Sequence, residues 1–151
     1  MFGIMLPNAH STEFKKDCIN IIDLRHVPQL QKGEVMGGSM RLGSYKCVLQ
    51  ANSKVREIYG NEFIEERHRH RYEFNSKYLN EFETNGMVAT GINPDNNLVE
   101  ILEVKEHPWF VAVQFHPEYK STVENPHPLF VSFINAAEKW KVKSNSTAQE
   151  A

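Results

Sequence analysis

Cysteine is scarce in this sequence of 151 residues, which has only Cys18 and Cys47. Two thiols do not make a disulfide framework, and they indicate a reducing compartment, so we expect a cytoplasmic protein. Long apolar runs are also missing. None approaches the roughly 20 residues of a membrane span, so we expect no membrane helix. The net charge is only −2, which argues against a strongly basic nucleic-acid-binding protein.

A nucleophile in a recognisable setting is missing as well. An activated thiol usually lies on a sharp turn or at a helix N-terminus, where its pKa is lowered. Cys18 has no glycine beside it to form such a turn, and Cys47 lies inside a strand-like pattern. The serines have no Gly-x-Ser-x-Gly setting. We therefore predict structural roles for both cysteines.

The composition that remains is typical of one globular domain, with 40% hydrophobic and 24% charged residues. The apolar patterns predict an α/β or α+β protein. A first helix is predicted over Lys54–Tyr59, capped by Ser53 and ended by Gly60. A second helix is predicted from about residue 76 to 84, and a hairpin over 87–92 and 98–104.

The last predicted helix covers about residues 129–140. Its apolar positions fit one helical stripe, formed by Phe130, Phe133, Ile134 and Ala137. From Lys141 onward the sequence is polar, and we expect a frayed tail.

A continuous apolar run over residues 109–115 leads into His116-Pro117-Glu118. Such a run, bounded by prolines, predicts a strand buried on both faces. The end of a strand is where an open α/β sheet usually carries its ligand site. A histidine followed two residues later by Glu is a candidate base with the carboxylate that orients it; a turn histidine beside a surface glutamate is the alternative.

The stretch 65–73 is rich in charge. A period of two residues places Arg67, Arg69 and Arg71 on one face of a strand, and His68 and His70 on the other. Two interpretations stay open: a grip for phosphate or nucleic acid, or an internal ion-pair network with Glu65, Glu66 and Glu73. We expect no metal site, since the two histidines lack a cysteine pair to complete zinc coordination.

These motifs resemble a known family. Gln114-Phe-His-Pro-Glu118 resembles the C-terminal signature of class I glutamine amidotransferases. Asn8-Ala-His-Ser-Thr-Glu-Phe14, Met36-Gly-Gly-Ser-Met-Arg-Leu-Gly43 and Glu66-Arg-His-Arg-His-Arg-Tyr-Glu73 resemble the CTP synthase family in particular. The resemblance covers residues 8–140, nearly the whole chain.

The resemblance implies a fold and an activity. The fold is the C-terminal half of a class I amidotransferase domain, a mixed, mostly parallel sheet with flanking helices. It spans residues 8–140, between an atypical start over 1–7 and a polar tail over 141–151. In the family, glutamine hydrolysis supplies ammonia to a separate synthetase domain, which uses ATP and Mg²⁺ to convert UTP to CTP. GTP is an activator, and the enzyme is a homotetramer. No cofactor is expected in this chain itself.

The resemblance also implies site residues. His116 resembles the base of the catalytic triad, and Glu118 the residue that orients it. Glu13 resembles a glutamine-binding acid that meets the α-ammonium group, and Arg71 resembles an arginine that contacts glutamine. The chemistry is consistent, because an imidazole that deprotonates a thiol can later activate water to release the acyl-enzyme.

The sequence departs from the family in one respect that matters. The nucleophile of the family lies on a Gly-x-Cys-x-Gly elbow upstream of the Ser-Thr-Glu segment, and this chain begins after that point. We therefore expect a fragment that is inactive alone and marginally stable, with an exposed sheet edge and exposed apolar surface. The alternatives are a catalytically silent module for binding or regulation, and an RNA- or phosphate-binding domain that uses Arg67, Arg69 and Arg71.

Overall fold

The structure is a computed structural model that describes residues 8–13, 19–24 and 40–149. Three helices are interspersed among eight strands in this part of the chain. The strands are β1 (Ala9–Ser11), β2 (Ile19–Leu24), β3 (Arg41–Leu49), β4 (Phe63–His70), β5 (Tyr72–Phe74), β6 (Met87–Ile92), β7 (Val99–Val104) and β8 (Val111–Val113). The helices are α1 (Lys54–Tyr59), α2 (Leu79–Thr84) and α3 (Pro128–Gln149).

The strands form two sheets. Five of them lie in the order β4-β3-β6-β7-β8, and every neighbouring pair there is antiparallel. The other three lie in the order β1-β2-β5, where β1 and β2 are parallel and β5 is antiparallel to β2. The mixed α/β class is confirmed. The pairing of the described strands differs from the mostly parallel sheet that we expected, since all four pairs of the five-stranded sheet are antiparallel.

Local signals in the sequence predicted several of these elements correctly. Ser53 accepts a hydrogen bond from the backbone N–H of Arg56 at the start of α1, and Gly60 ends that helix with a φ of 67°. The predicted hairpin is formed by β6 and β7. The predicted second helix is a 3-10 turn, Ser76–Tyr78, that continues into α2.

The burial predicted for the strand before His116 was wrong. The strand expected over residues 109–115 is only the short β8, which lies at a sheet edge with Ala112 exposed. The strand that is buried on both faces is β7. Its Ile101 belongs to one core cluster, with Cys47 and Phe115, while its Val99 and Leu102 belong to the other. Core side chains cover both faces of β7, whereas β8 is the last of the described strands in its sheet and leaves Ala112 uncovered.

Helix α3 is longer than predicted, and the apolar stripe predicted to be buried is exposed to solvent. It runs to Gln149, through the segment expected to fray. Leu129 is buried, whereas Phe130, Phe133 and Ile134 of the predicted stripe are exposed. These side chains give the helix an exposed apolar surface. No helix among the described residues is both long enough and apolar enough to cross a membrane.

Candidate functional site

His116 and Glu118 form the hydrogen-bonded pair that the sequence predicted. Phe115 is buried, and the backbone N–H of His116 donates to the carbonyl of Arg67 on β4 at 2.8 Å. A 3-10 turn, Pro117–Lys120, follows at once and brings Glu118 back toward the histidine. Nδ1 of His116 lies 2.7 Å from Oε1 of Glu118. The side chains are 36% and 54% exposed, so the pair is open to solvent.

The electrostatics of this pair suit a base and its orienting acid. The hydrogen bond from His116 lowers the pKa of Glu118 below its ordinary value. Because the folded pKa is lowered, the pair is intact at neutral pH and is lost only as the pH falls through that lowered value. With Glu118 on Nδ1, the Nε2 atom is left to accept a proton. The ring of His116 also stacks on Tyr119, with centroids 5.1 Å apart.

Gln114 fastens this segment to both sheets. Its side-chain oxygen accepts the backbone N–H of Phe74 on β5 at 2.9 Å, and its side-chain nitrogen donates to the carbonyl of Val99 on β7. Gln114 therefore joins the two sheets, two residues before His116. The sequence motif contained this residue, but the pattern did not reveal its structural role.

Replacement of Gln114 by Leu is expected to destabilise the fold. Two backbone groups lose their partner, and each unsatisfied buried group costs about 1–3 kcal/mol. We expect the free energy of unfolding in urea to fall by at least about 2 kcal/mol. Gln50→Leu is the matched control, since Gln50 is exposed. Equal stability of the two variants would show that the bridge contributes nothing.

A buried charge cluster lies beside the candidate site, and the sequence reasoning missed it. Arg41 on β3 is fully buried and binds Glu100 on β7 through two hydrogen bonds, of 2.6 and 3.1 Å. Glu73 lies 3.7 Å from the same guanidinium, and Glu100 lies 3.7 Å from Nε2 of His68. One signal was available, because Glu100 interrupts the apolar pattern of β7.

Glu13 and Arg71, the predicted glutamine-binding residues, lie at one end of the three-stranded sheet. Glu13 is exposed and follows Thr12, the first residue after β1. The backbone N–H of Thr12 donates to the carbonyl of Ile22 on β2. Arg71 directly precedes β5, whose first residue, Tyr72, pairs with the last residue of β2. The register therefore places both side chains where β1 and β2 end and β5 begins. Their roles toward glutamine stay predictions.

The predicted alternation of the charged stretch is confirmed within β4. Arg67 and Arg69 are exposed, whereas His68 is buried and His70 is half-buried. The predicted ion-pair network is wrong in its residues. Among the side chains that the structure describes, none of the three arginines forms an ion pair with Glu65, Glu66 or Glu73. The acids bind elsewhere: Glu66 contacts Tyr59 and His127, and Glu73 contacts Arg41.

The cysteines behave as predicted where they are described. Cys47 is buried in β3, and burial raises the pKa of its thiol to about 12. A thiol with that pKa is protonated at neutral pH, which makes it a poor nucleophile. Cys18 lies outside the described residues. Within the described part of the chain, no three metal-ligating side chains cluster together.

Comparison with known proteins gives the class of this site. The family model described as "Glutamine amidotransferase class-I" matches residues 10–136 of this chain. The chain belongs to the class I glutamine amidotransferase family. Within that family it is homologous to the glutaminase domain of CTP synthases.

Relatives and a solved structure support this assignment. The chain is 56% identical over 133 residues to the CTP synthase of Cytophaga hutchinsonii, covering 87% of this chain and 24% of that protein. It is 51% identical over 144 residues to the CTP synthase of Christiangramia forsetii, covering 95% and 26%. The Trypanosoma brucei CTP synthase glutaminase domain with bound acivicin superposes with a TM-score of 0.78, at 32% identity, over 89% of this chain and 52% of that domain. This chain thus spans about a quarter of the length of its curated relatives.

Proposed function

We propose that this chain supplies the base-carrying half of a glutaminase site. The hydrogen bond between His116 and Glu118, at 2.7 Å, carries the proposal. In that role His116 takes the proton of an attacking cysteine thiol and later activates water to release the glutamyl group. Glu118 holds the imidazole in the required tautomer. Glu13 and Arg71 bind the glutamine substrate, Glu13 at its α-ammonium group.

The activity of the whole protein is proposed from the names of its relatives. Ammonia from glutamine passes to a synthetase domain, which aminates UTP to CTP with ATP and Mg²⁺ and responds to GTP. ATP, UTP and Mg²⁺ belong to the synthetase domain, and we assign no residue of this chain to them or to GTP. We also propose a cytoplasmic location and assembly with the synthetase domain as a homotetramer.

A second candidate is a catalytically silent module that binds glutamine or docks on a complete enzyme. The observation in its favour is the state of Cys47, whose buried, protonated thiol cannot serve His116 as a nucleophile. The two candidates differ in whether hydrolysis appears when a nucleophile is supplied.

Reconstitution tests the first candidate. The N-terminal part of the glutaminase domain of the Cytophaga hutchinsonii CTP synthase, which is expected to carry the cysteine elbow, is mixed with this chain. We expect the mixture to release ammonia from glutamine. His116→Ala should lower that rate by about 10⁴-fold or more, since loss of a triad base removes nearly all of the triad's acceleration.

His107→Ala is the matched control for His116→Ala, because His107 is an exposed histidine on a turn. The control should retain the full rate. A mixture that is as active with His116→Ala as with the wild-type chain would exclude His116 as the base. A wild-type mixture that binds glutamine without hydrolysing it would favour the silent module.

A further inference from the structure

His68 and His70, which we call the histidine pair, are hydrogen bonded to each other beneath the charged surface of β4. Nδ1 of His68 lies 2.8 Å from Nε2 of His70. Nδ1 of His70 lies 3.0 Å from the backbone carbonyl of Tyr72. The edge of the His68 ring packs against Tyr45, with centroids 5.3 Å apart. Neither histidine has a role in the proposed reaction, yet both make specific contacts.

The contact with Tyr72 determines that Nδ1 of His70 carries a proton. A carbonyl oxygen only accepts, so Nδ1 of His70 must donate to Tyr72. For a neutral ring, Nε2 of His70 then accepts, and Nδ1 of His68 donates to it. Burial, and then the guanidinium of Arg41, lower the pKa of His68 to about 3, with smaller contributions from His70 and His116. His68 therefore stays neutral at physiological pH, although the carboxylate of Glu100 lies 3.7 Å from its Nε2.

The histidine pair connects the two parts of the proposed site. At one end, the backbone carbonyl of Arg67, the residue before His68, accepts the backbone N–H of His116 at 2.8 Å. The ring of His68 also packs against Phe115, with centroids 6.0 Å apart. At the other end, the carbonyl that His70 holds belongs to Tyr72, the residue after Arg71. His70 thus holds the bend at Arg71. Its hydrogen-bond partner, His68, packs on Phe115, the residue before His116.

We propose that the histidine pair positions Arg71 relative to His116, with His70 acting through the carbonyl of Tyr72. His68 and His70 are positioning residues, and neither touches the substrate. This proposal rests on the proposed glutamine-binding role of Arg71. The expected consequence is an effect on the KM for glutamine rather than on kcat, because substrate placement changes while the base and its acid do not.

Two variants of His70 separate its two hydrogen bonds. His70→Asn places an amide nitrogen where Nδ1 was and keeps a donor for Tyr72. His70→Gln places its amide where Nε2 was and loses that donor. Histidine ring nitrogens and the Arg71 Nε–H group are followed by ¹⁵N NMR in the full 151-residue chain. We expect both wild-type rings to carry the proton on Nδ1, and the Arg71 resonance to shift in His70→Gln but not in His70→Asn.

The reconstituted glutaminase gives a second measurement. His70→Gln should raise the KM for glutamine about tenfold, the effect of one lost hydrogen bond, with kcat changed less than about twofold. His70→Asn should keep the wild-type KM. A merely structural role would change both variants alike, so equal resonance shifts, or none in either, would overturn the proposal. So would an Nδ1 of His70 that carries no proton in the wild-type chain.

The NMR result does not depend on hydrolysis. Failure of the reconstituted wild-type mixture to release ammonia would count against the proposed function. The proton positions and the Arg71 resonance would still decide whether the histidine pair holds Arg71.

Discussion

Purified on its own, the 151-residue chain is expected to hydrolyse glutamine about 10⁶-fold more slowly than a complete glutaminase, which is the typical effect of removing the nucleophile from a triad. The reason lies in its cysteines. The thiol of Cys47 is buried and has its pKa raised to about 12, and Cys18 lacks a glycine elbow. Ammonia release from glutamine, measured with an enzyme-coupled assay, checks this expectation.

His116→Ala is the control that separates a true activity from a contaminant. A trace of hydrolysis that survives His116→Ala comes from another protein in the preparation. Hydrolysis that disappears with His116→Ala and also with Cys18→Ala would contradict the prediction and identify Cys18 as a nucleophile.

Replacement of Arg41 by Met should lower the free energy of unfolding by about 3–5 kcal/mol, the range for breaking one side of a buried ion pair. The variant leaves the buried carboxylate of Glu100 without the guanidinium that binds it twice. A loss of that size is a large part of the stability of a small domain. Urea unfolding followed by the fluorescence of Trp109, whose ring packs on Phe133 of α3, measures it.

Two further variants show whether charge or volume causes the loss. Arg69→Met removes an exposed arginine and should change stability by less than about 0.5 kcal/mol. Arg41→Met combined with Glu100→Leu removes the pair that two hydrogen bonds join and should recover part of the loss, while the buried carboxylate of Glu73, 3.7 Å from the guanidinium, still lacks it. If the double variant is as unstable as Arg41→Met alone, the uncompensated charge of Glu100 is not the cause of the loss.

The exposed stripe on α3 shows how a correct pattern led to a wrong burial prediction. Phe130, Phe133 and Ile134 do lie on one side of a helix, as their spacing predicted. Periodicity shows that a helix has an apolar side, but it does not show what covers that side. Here the side that packs on α1 and the sheet carries Leu129. The position of the helix, set by contacts with distant segments, decided which side was buried.

The features that the sequence determined by itself are those whose partners lie within a few residues. The Ser53 cap, the Gly60 end of α1 and the bond between His116 and Glu118 are all of this kind, because the backbone brings near neighbours together wherever the element lies. The same holds for the alternation of Arg67, His68 and Arg69 along β4.

Tertiary structure decided every feature that joins distant parts of the chain. Arg41 and Glu100 are 59 residues apart, and Gln114 joins two sheets across 40 and 15 residues. A charged or polar residue in a buried segment indicates that a polar partner is required. The sequence does not identify that partner, since many residues carry a suitable carboxylate or carbonyl. Only strand order and register choose among them, by bringing one carboxylate or one carbonyl within hydrogen-bond distance.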